Sequence, residues 1–298
     1  GKPLTAHDVV ATYQSVLDVD FGSAHRGSLK GIKRIVALND QQVDFILSET
    51  QAILSEAAYS SWHNLFLTKE LSDHLASKKI SQRRAVHFKW LNNNYESFDD
   101  FLALCSSRHR KNIRKERRKV SELGITLKQI EGGNLTEEEW QLFYQFYQAT
   151  YLKRSGHGGY LSPDFFIRLK QTIPDQLMLV MARKNEEMIG AALYLKDKHS
   201  LYGRYWGSLS EDEFLHFEAC YYQGIDYCIK HKLAYFDPGV QGEHKLQRGF
   251  EPYYSYSNHW ITHPEFGLAI NQFLKDEQPY INQYFDYTQT RLPFKKNQ

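Results

Sequence analysis

Apolar positions along this chain switch repeatedly between a period of two and a period near 3.6. Residues 177–182 (LMLVMA), 188–195 (MIGAALYL) and 201–207 (LYGRYWG) are short apolar runs separated by polar turns at 184–187 and 196–200. Runs of that length closed by such turns predict three antiparallel strands in a meander. Ahead of them, 124–130 reads as a strand and 136–153 as a helix. Thr136 caps that helix, with Glu137, Glu138 and Glu139 in its first turn. A second helix is expected over 162–173, with Pro163 at its first position. Beyond the meander the pattern predicts a long helix over about 213–231, a buried strand LAYFD over 233–237, and a last helix over 264–287. The final ten residues are expected to fray.

Nearer the amino end, 84–91 is strand-like, with His87, Lys89 and Leu91 alternating with Phe88 and Trp90. Ser97 then caps a helix, with Asp99 and Asp100 in its first turn, predicted to run unbroken to Gly124. Its inner stripe is Leu102, Cys105, His109, Ile113, Glu116, Val120 and Leu123, at spacings of three or four. A carboxylate on that stripe must be paired, because burying it alone costs several kcal/mol (roughly), so Glu116 is expected to meet a neighbouring Arg or Lys. Residues 60–66 (SSWHNLF) precede a helix-like stretch. A further capped amphipathic helix is predicted over 4–18, followed over 32–47 by two short predicted strands about Asn39-Asp40.

Composition narrows the class. In 298 residues, 42% are hydrophobic and 24% charged, the balance of a soluble globular protein. No apolar run approaches the ~18 residues of a membrane span, and no signal-peptide pattern opens the chain, so a cytoplasmic location is expected. Cys220 and Cys228 lie eight apart on the long helix, a rise of roughly 12 Å, too far to bridge. With Cys105 they read as free thiols in a reducing compartment. No histidine has metal-ligand spacing, so no metal is expected.

Charge is uneven. The chain carries +2, but residues 105–120 hold eight Lys or Arg against one acid, a local +7, which leaves −5 for the remainder. Either this is a solvated face, or the helix binds anions through Lys111, Arg114, Arg117 and Arg118, with RNA engaging 108–119 as one form of that reading.

The densest chemistry lies in residues 236–250, FDPGVQGEHKLQRGF. Glu243 and His244 are candidate bases, and Lys245 and Arg248 are candidate binders of a carboxylate or phosphate. Glycines at 239, 242 and 249 would let the backbone approach a ligand closely. The alternative is a salt-bridged surface turn. On the long helix, Glu218 sits among Phe214, Phe217, Cys220 and Tyr221, an aromatic setting that should raise its pKa and suit acid–base work, unless it makes a structural hydrogen bond to a tyrosine. Tyr222 shares its face. Arg204, between aromatics on a strand, is expected to pair with Glu218 or Glu243 or to grip a substrate carboxylate; Tyr205 and Trp206 either stack on the substrate or, for at least one of them, pack in the core. Together these predict a cleft lined by Tyr205, Trp206, Glu218 and Tyr222, closed by the 236–250 loop at the sheet's end.

Two resemblances add to this reading. KPLTAHDVVATYQSVLD and the following GSAHRGSLKGIKRIVALNDQQVDFIL resemble the extracytoplasmic peptide-binding proteins of ABC importers, over residues 1–50. From about residue 57 onward, FKWLNNNYESFDDFL, RKNIRKERRKV, LYGRYWG, LHFEACYYQGI and FDPGVQGEHKLQRGF resemble the GNAT acyltransferase superfamily, and within it the Fem-like proteins of peptidoglycan biosynthesis. The resemblance implies an α/β fold, GNAT-like, with a mixed, largely antiparallel sheet flanked by helices beside a small amino-terminal helix–hairpin. It also implies that residues 57–298 are a Fem-like domain with its amino-terminal half truncated, joined near Thr50 to the importer-like piece. An opening Gly1 in place of Met is what a fragment or processed product would show.

The activity implied is transfer of an acyl or aminoacyl group from acyl-CoA or aminoacyl-tRNA to an amine. A non-catalytic module binding RNA or peptide is the other class. The superfamily's Gln/Arg-x-x-Gly-x-Gly turn for the CoA pyrophosphate is replaced by GSLSEDEFLHFE, with Glu211, Asp212 and Glu213, which favours a donor other than free CoA.

Overall fold

The structure, a computed structural model, describes residues 59–239 and 242–295. The helix–hairpin expected over residues 1–50 lies outside the described residues. The chain divides into two compact units.

The first unit holds residues 59–85 and 254–283 of the described chain. Strand β1 (Ser61–Leu67) pairs antiparallel with β8 (Glu251–Ile261), Trp62 opposite Trp260 and His63 opposite His259. Helix α1 (Lys69–Ser77) begins where Thr68 Oγ1 accepts from the Leu71 N–H. Leu75 and Ile80 form a small core with Trp62, Leu67, Leu71 and Trp260. Asn258, fully buried among them, accepts from Ser72 Oγ at 2.6 Å and donates to the Ser72 and Ile80 carbonyls. Neither β1 nor β8 is among the strands that the apolar pattern predicts. Most positions of EPYYSYSNHWI are half-buried, so no alternation marks the strand.

The second unit holds residues 86–253 and 284–295. Its strands are the end of β2 (Ser81–Leu91), then β3 (Ile125–Glu131), β4 (Leu177–Lys184), β5 (Glu187–Lys196), β6 (Ser200–Ser208) and β7 (Tyr235–Asp237). They lie in the order β2-β7-β6-β5-β4-β3. Along that order each neighbouring pair is antiparallel except β6 with β7, so the sheet is mixed and largely antiparallel, as the element order predicts.

Strands β4 and β5 of the meander are largely buried on both faces, which is why they read as apolar runs, whereas β6 is only partly covered. Leu177, Leu179 and Met181 of β4 pack under α4 (Glu137–Ser155) and α5 (Pro163–Thr172), against Trp140, Phe143, Phe146 and Phe166. The alternate residues Met178 and Val180 belong to a second cluster with Phe101, Ile113, Ala219, Tyr222 and Phe236. Each such side chain contributes about 1.5–3 kcal/mol by leaving water. Gly207 lets β6 and α4 touch: a Cβ there would lie 2.2 Å from the Phe146 carbonyl carbon.

Two expectations fail for one reason. The helix predicted from Ser97 to Gly124 is two helices, α2 (Phe98–Leu104) and α3 (Ser107–Glu122). Between them Cys105 is extended (φ −71°, ψ 146°) and bridges to Phe294, while the Ser106 N–H donates to Pro293 O and the Lys295 N–H to Leu104 O. The carboxyl tail therefore supplies the hydrogen bonds that open the helix. Up to Lys295 it is anchored rather than frayed.

The predicted long helix, α6, is a composite. It starts as α-helix at Leu215–Phe217, widens to a π segment at Glu218–Tyr222 and continues as α-helix over Gln223–Lys230. The carboxyl helix α7 spans Pro264–Thr290.

Candidate active site

The parallel ladder between β6 and β7 is short. It joins Ser200, Leu201 and Tyr202 to Tyr235, Phe236 and Asp237, and ends where Pro238 offers no N–H. On the other side of β6, Leu193 faces Tyr205 but Tyr194 faces Gly203, so Arg204 is an extra, bulged residue. Released on one edge and kinked on the other, β6 forms the floor of a cleft of about 790 Å³. Tyr151 and Arg154 of α4, His216 and Tyr221 of α6, and His244 and Lys245 complete its walls with Arg204, Tyr205 and Trp206. Its described lining contains no carboxylate. The site is cationic and aromatic.

The turn that bears His244 and Lys245 is a 3-10 helix, Glu243–Arg248, bounded by Gly242 at φ 111° and Gly249 at φ 87°. Gly242 is required, since a Cβ there would sit 2.2 Å from His244 Cε1 and leave the ring no room. Lys245 stands in the cleft wall and not in a surface turn, being 2% exposed. Its Nζ donates to Gly239 O at 2.6 Å and has no ion-pair partner among the described residues. Burial pushes its pKa down to about 8, against the pull of Asp237. That carboxylate is itself occupied, accepting from the Gly239 N–H at 2.8 Å and from Tyr253 Oη at 3.0 Å.

Both cleft histidines are held neutral. Burial, followed by the charges of Arg248 and Lys245, lowers His244. Burial, followed by His244 and the nearby cations, lowers His216 to about 4. His244 Nε2 lies 2.8 Å from Tyr221 Oη, which fixes the ring. The π segment of α6 lies beside this wall, and Tyr194 Oη donates to Ala219 O within it. Such segments recur at functional sites because the extra residue re-aims side chains.

Several residues expected in the cleft stand behind it instead. Arg248, 5% exposed, forks onto Glu116 (Nη2–Oε1 2.7 Å, Nε–Oε2 3.1 Å), donates through Nη1 to His244 O at 2.7 Å and lies 3.5 Å from the Phe217 ring centroid. Tyr222 Oη donates to the same carboxylate. The pairing expected of Glu116 is thus present, and its partner is Arg248.

Glu218, 4% exposed, faces α3: Arg117 Nη2 reaches Glu218 Oε1 at 3.0 Å and Asp226 Oδ2 at 2.6 Å. Burial raises the Glu218 pKa and Arg117 opposes it. Glu243 is exposed, and burial together with the nearby Glu243 charge raises the pKa of the Tyr284 phenol to about 12. Arg204 therefore pairs with neither Glu218 nor Glu243; it lies 5.9 Å from the ring centroid of Tyr205. Arg117 of α3 holds Glu218 and Asp226, the turn's own Arg248 holds Glu116, and the described cleft lining is left without an acid. Arg117 is correspondingly an internal residue and not part of an outward anion-binding set. Arg114 and Arg118 are exposed, beside Asp99 and Glu122.

Tyr151, Arg154, His216 and Tyr221 are cleft residues outside the set predicted from sequence. Arg154 and Tyr151 come from the end of a helix some fifty residues from β6 in sequence, and no local period marks them. At the junction of β6 and α6, Lys153 pairs with Glu211 and Lys184 with Asp212 at 2.7 Å, while Ser210 Oγ donates to Asp212. The turn is filled by its own side chains, where a pyrophosphate would need free amides.

A family model described as peptidoglycan biosynthesis/recognition, FemAB-like, matches residues 29–296. The chain belongs to the FemAB-like family. No curated protein matches it in sequence. Among solved structures, FemX is similar with a TM-score of 0.52 at 12% identity, over 77% of this chain and 79% of that one. L-PGS from Bacillus licheniformis is similar with a TM-score of 0.52 at 11% identity, over 79% and 80%. These likenesses concern the fold. Among the described residues of this FemAB-like chain, no group of three or more His, Cys, Asp or Glu is placed to hold a metal ion, and no helix is long and apolar enough to cross a membrane.

Proposed function

We propose that this FemAB-like chain transfers an acyl or aminoacyl group to an amine of a peptidoglycan precursor, with the β6–β7 cleft as its active site. The observation that carries this reading is Lys245, a buried amine in a cleft whose described lining has no acid. A cation so placed offers its charge to a developing oxyanion, the role that dominates acyl transfer. Arg154 and Arg204 are suited to the donor's phosphates or carboxylate, and Tyr205 and Trp206 to its apolar parts.

In the step proposed, the acceptor amine attacks the donor's ester or thioester carbonyl. Lys245 Nζ–H donates to the oxygen that gains charge, and neutral His244 takes the amine's proton. On collapse the amide bond is kept, the C–O or C–S bond breaks, and the proton on His244 passes to the leaving oxygen or sulfur. The filled β6–α6 junction favours an aminoacyl-tRNA donor over acyl-CoA.

The test offers the protein radiolabelled alanyl-tRNA or acetyl-CoA together with an amine-bearing peptidoglycan stem peptide. Label on the peptide, lost in Lys245→Met, supports the reading. No transfer from either donor overturns it.

A further inference from the structure

Helix α3 has two faces with different commitments. Inward, Ile113 and Val120 are buried, and Glu116 and Arg117 are spent on Arg248, Glu218 and Asp226. Outward, Arg108, Lys111, Arg114, Lys115, Arg118 and Lys119 are all exposed. At 3.6 residues per turn these six fall within an arc of about 140°, along a ridge roughly 17 Å long. The acids beside them, Asp99 and Glu122, meet Arg114, Arg118 and Lys119 in pairs whose side chains are about half exposed or more. Such exposed pairs are weak and exchange readily for another anion, and with both acids counted the face still carries a net +4. Among the described residues no carboxylate pairs with Arg108, Lys111 or Lys115.

We propose that this face of α3 is a docking surface for an anionic phospholipid bilayer, on which the protein sits reversibly. A chain that is net acidic elsewhere concentrates its positive charge on one helix, and that arrangement is complementary to a sheet of negative headgroups. The alternative polyanion, RNA, fits the face less well. The ridge is convex, and between Ser107 and Glu122 the helix carries no Phe, Tyr or Trp on which a base can stack; its one aromatic ring, His109, is half-buried and hydrogen-bonded to Ser106. A flat array of headgroups engages all six cations at once, whereas a single strand needs a groove. The inference is independent of the chemistry proposed for the cleft.

Co-sedimentation of the whole chain with vesicles tests it. Vesicles of phosphatidylcholine with phosphatidylglycerol should bind the protein, and vesicles of phosphatidylcholine alone should not. Added salt should release it. Each cation near such a surface is worth about a fivefold change in partitioning, so Lys111→Gln, Lys115→Gln and Arg118→Gln together should weaken binding about a hundredfold. The same charge change at exposed Arg168, Lys198 and Lys230 should leave binding within a few-fold of the parent. Equal loss in both triple variants would reduce the effect to net charge and overturn the proposal. So would failure of the parent to bind anionic vesicles, including the case in which a single-stranded RNA oligonucleotide binds instead and is released by the α3 substitutions. Circular dichroism confirms that both variants are folded.

Discussion

Arg248 of the turn after β7 and Glu116 of α3 form a two-pronged ion pair, and the third arm of the same guanidinium holds the carbonyl of His244. The pair fixes where the catalytic candidates stand without touching the cleft itself. With side chains only 6% and 16% exposed, it is the kind of interaction whose halves cannot be removed singly without penalty. Glu116→Ala should cost about 3 kcal/mol in urea unfolding by leaving the Arg248 charge unpaired. The double variant Glu116→Met, Arg248→Met should recover much of that loss. A double variant as unstable as the single would show that the energy lies elsewhere.

Lys245→Met should fold and lose transfer. It should also change how stability depends on pH. The native pKa, about 8, lies below the ordinary lysine value, so between the two the unfolded chain holds more protons and stability rises with pH. The desolvation penalty is complete below about 8 and is relieved above it. Urea midpoints measured across pH 7.5–10 (roughly) should climb in the parent relative to Lys245→Met. Parallel curves would mean that Lys245 is not the buried amine described.

The rate of transfer should fall on the alkaline side near the pKa of Lys245, because the charged form is the one that stabilises an oxyanion. The acid limb should lie below the ordinary histidine value, since burial and the adjacent cations depress His244. Lys245→Arg keeps the charge at all accessible pH, so it should abolish the alkaline limb while lowering the rate through altered geometry. A pH–rate profile of that variant with the parent's alkaline limb would place the titrating group elsewhere.

Tyr194→Phe removes the hydroxyl that donates to Ala219 O inside the π segment. A buried carbonyl left without its donor should cost about 1–2 kcal/mol, read from thermal or urea unfolding. Because Tyr194 also borders the cleft, transfer should slow by more than the stability loss alone explains. Unchanged kinetics would make the π segment a packing feature only.

The sequence by itself determined the helices and the meander of the second unit, because those elements write their burial into a local period. LMLVMA is apolar throughout since both faces of β4 are covered, and Ser97, Thr136 and Pro163 mark helix starts through backbone groups only a few residues away. It also singled out the stretch 236–250 by its glycines and charges. What only the tertiary structure decided is how the charges divide. Which arginine meets which carboxylate depends on α3 lying against α6 and the turn: Glu116 takes Arg248, and Glu218 with Asp226 takes Arg117, across separations of more than a hundred residues. Those pairings form because buried charges must be neutralised by whatever partner the fold brings near. The same long-range packing leaves Lys245 without a carboxylate, breaks the predicted helix at Cys105 and carries Arg154 to β6, none of which a local period can encode.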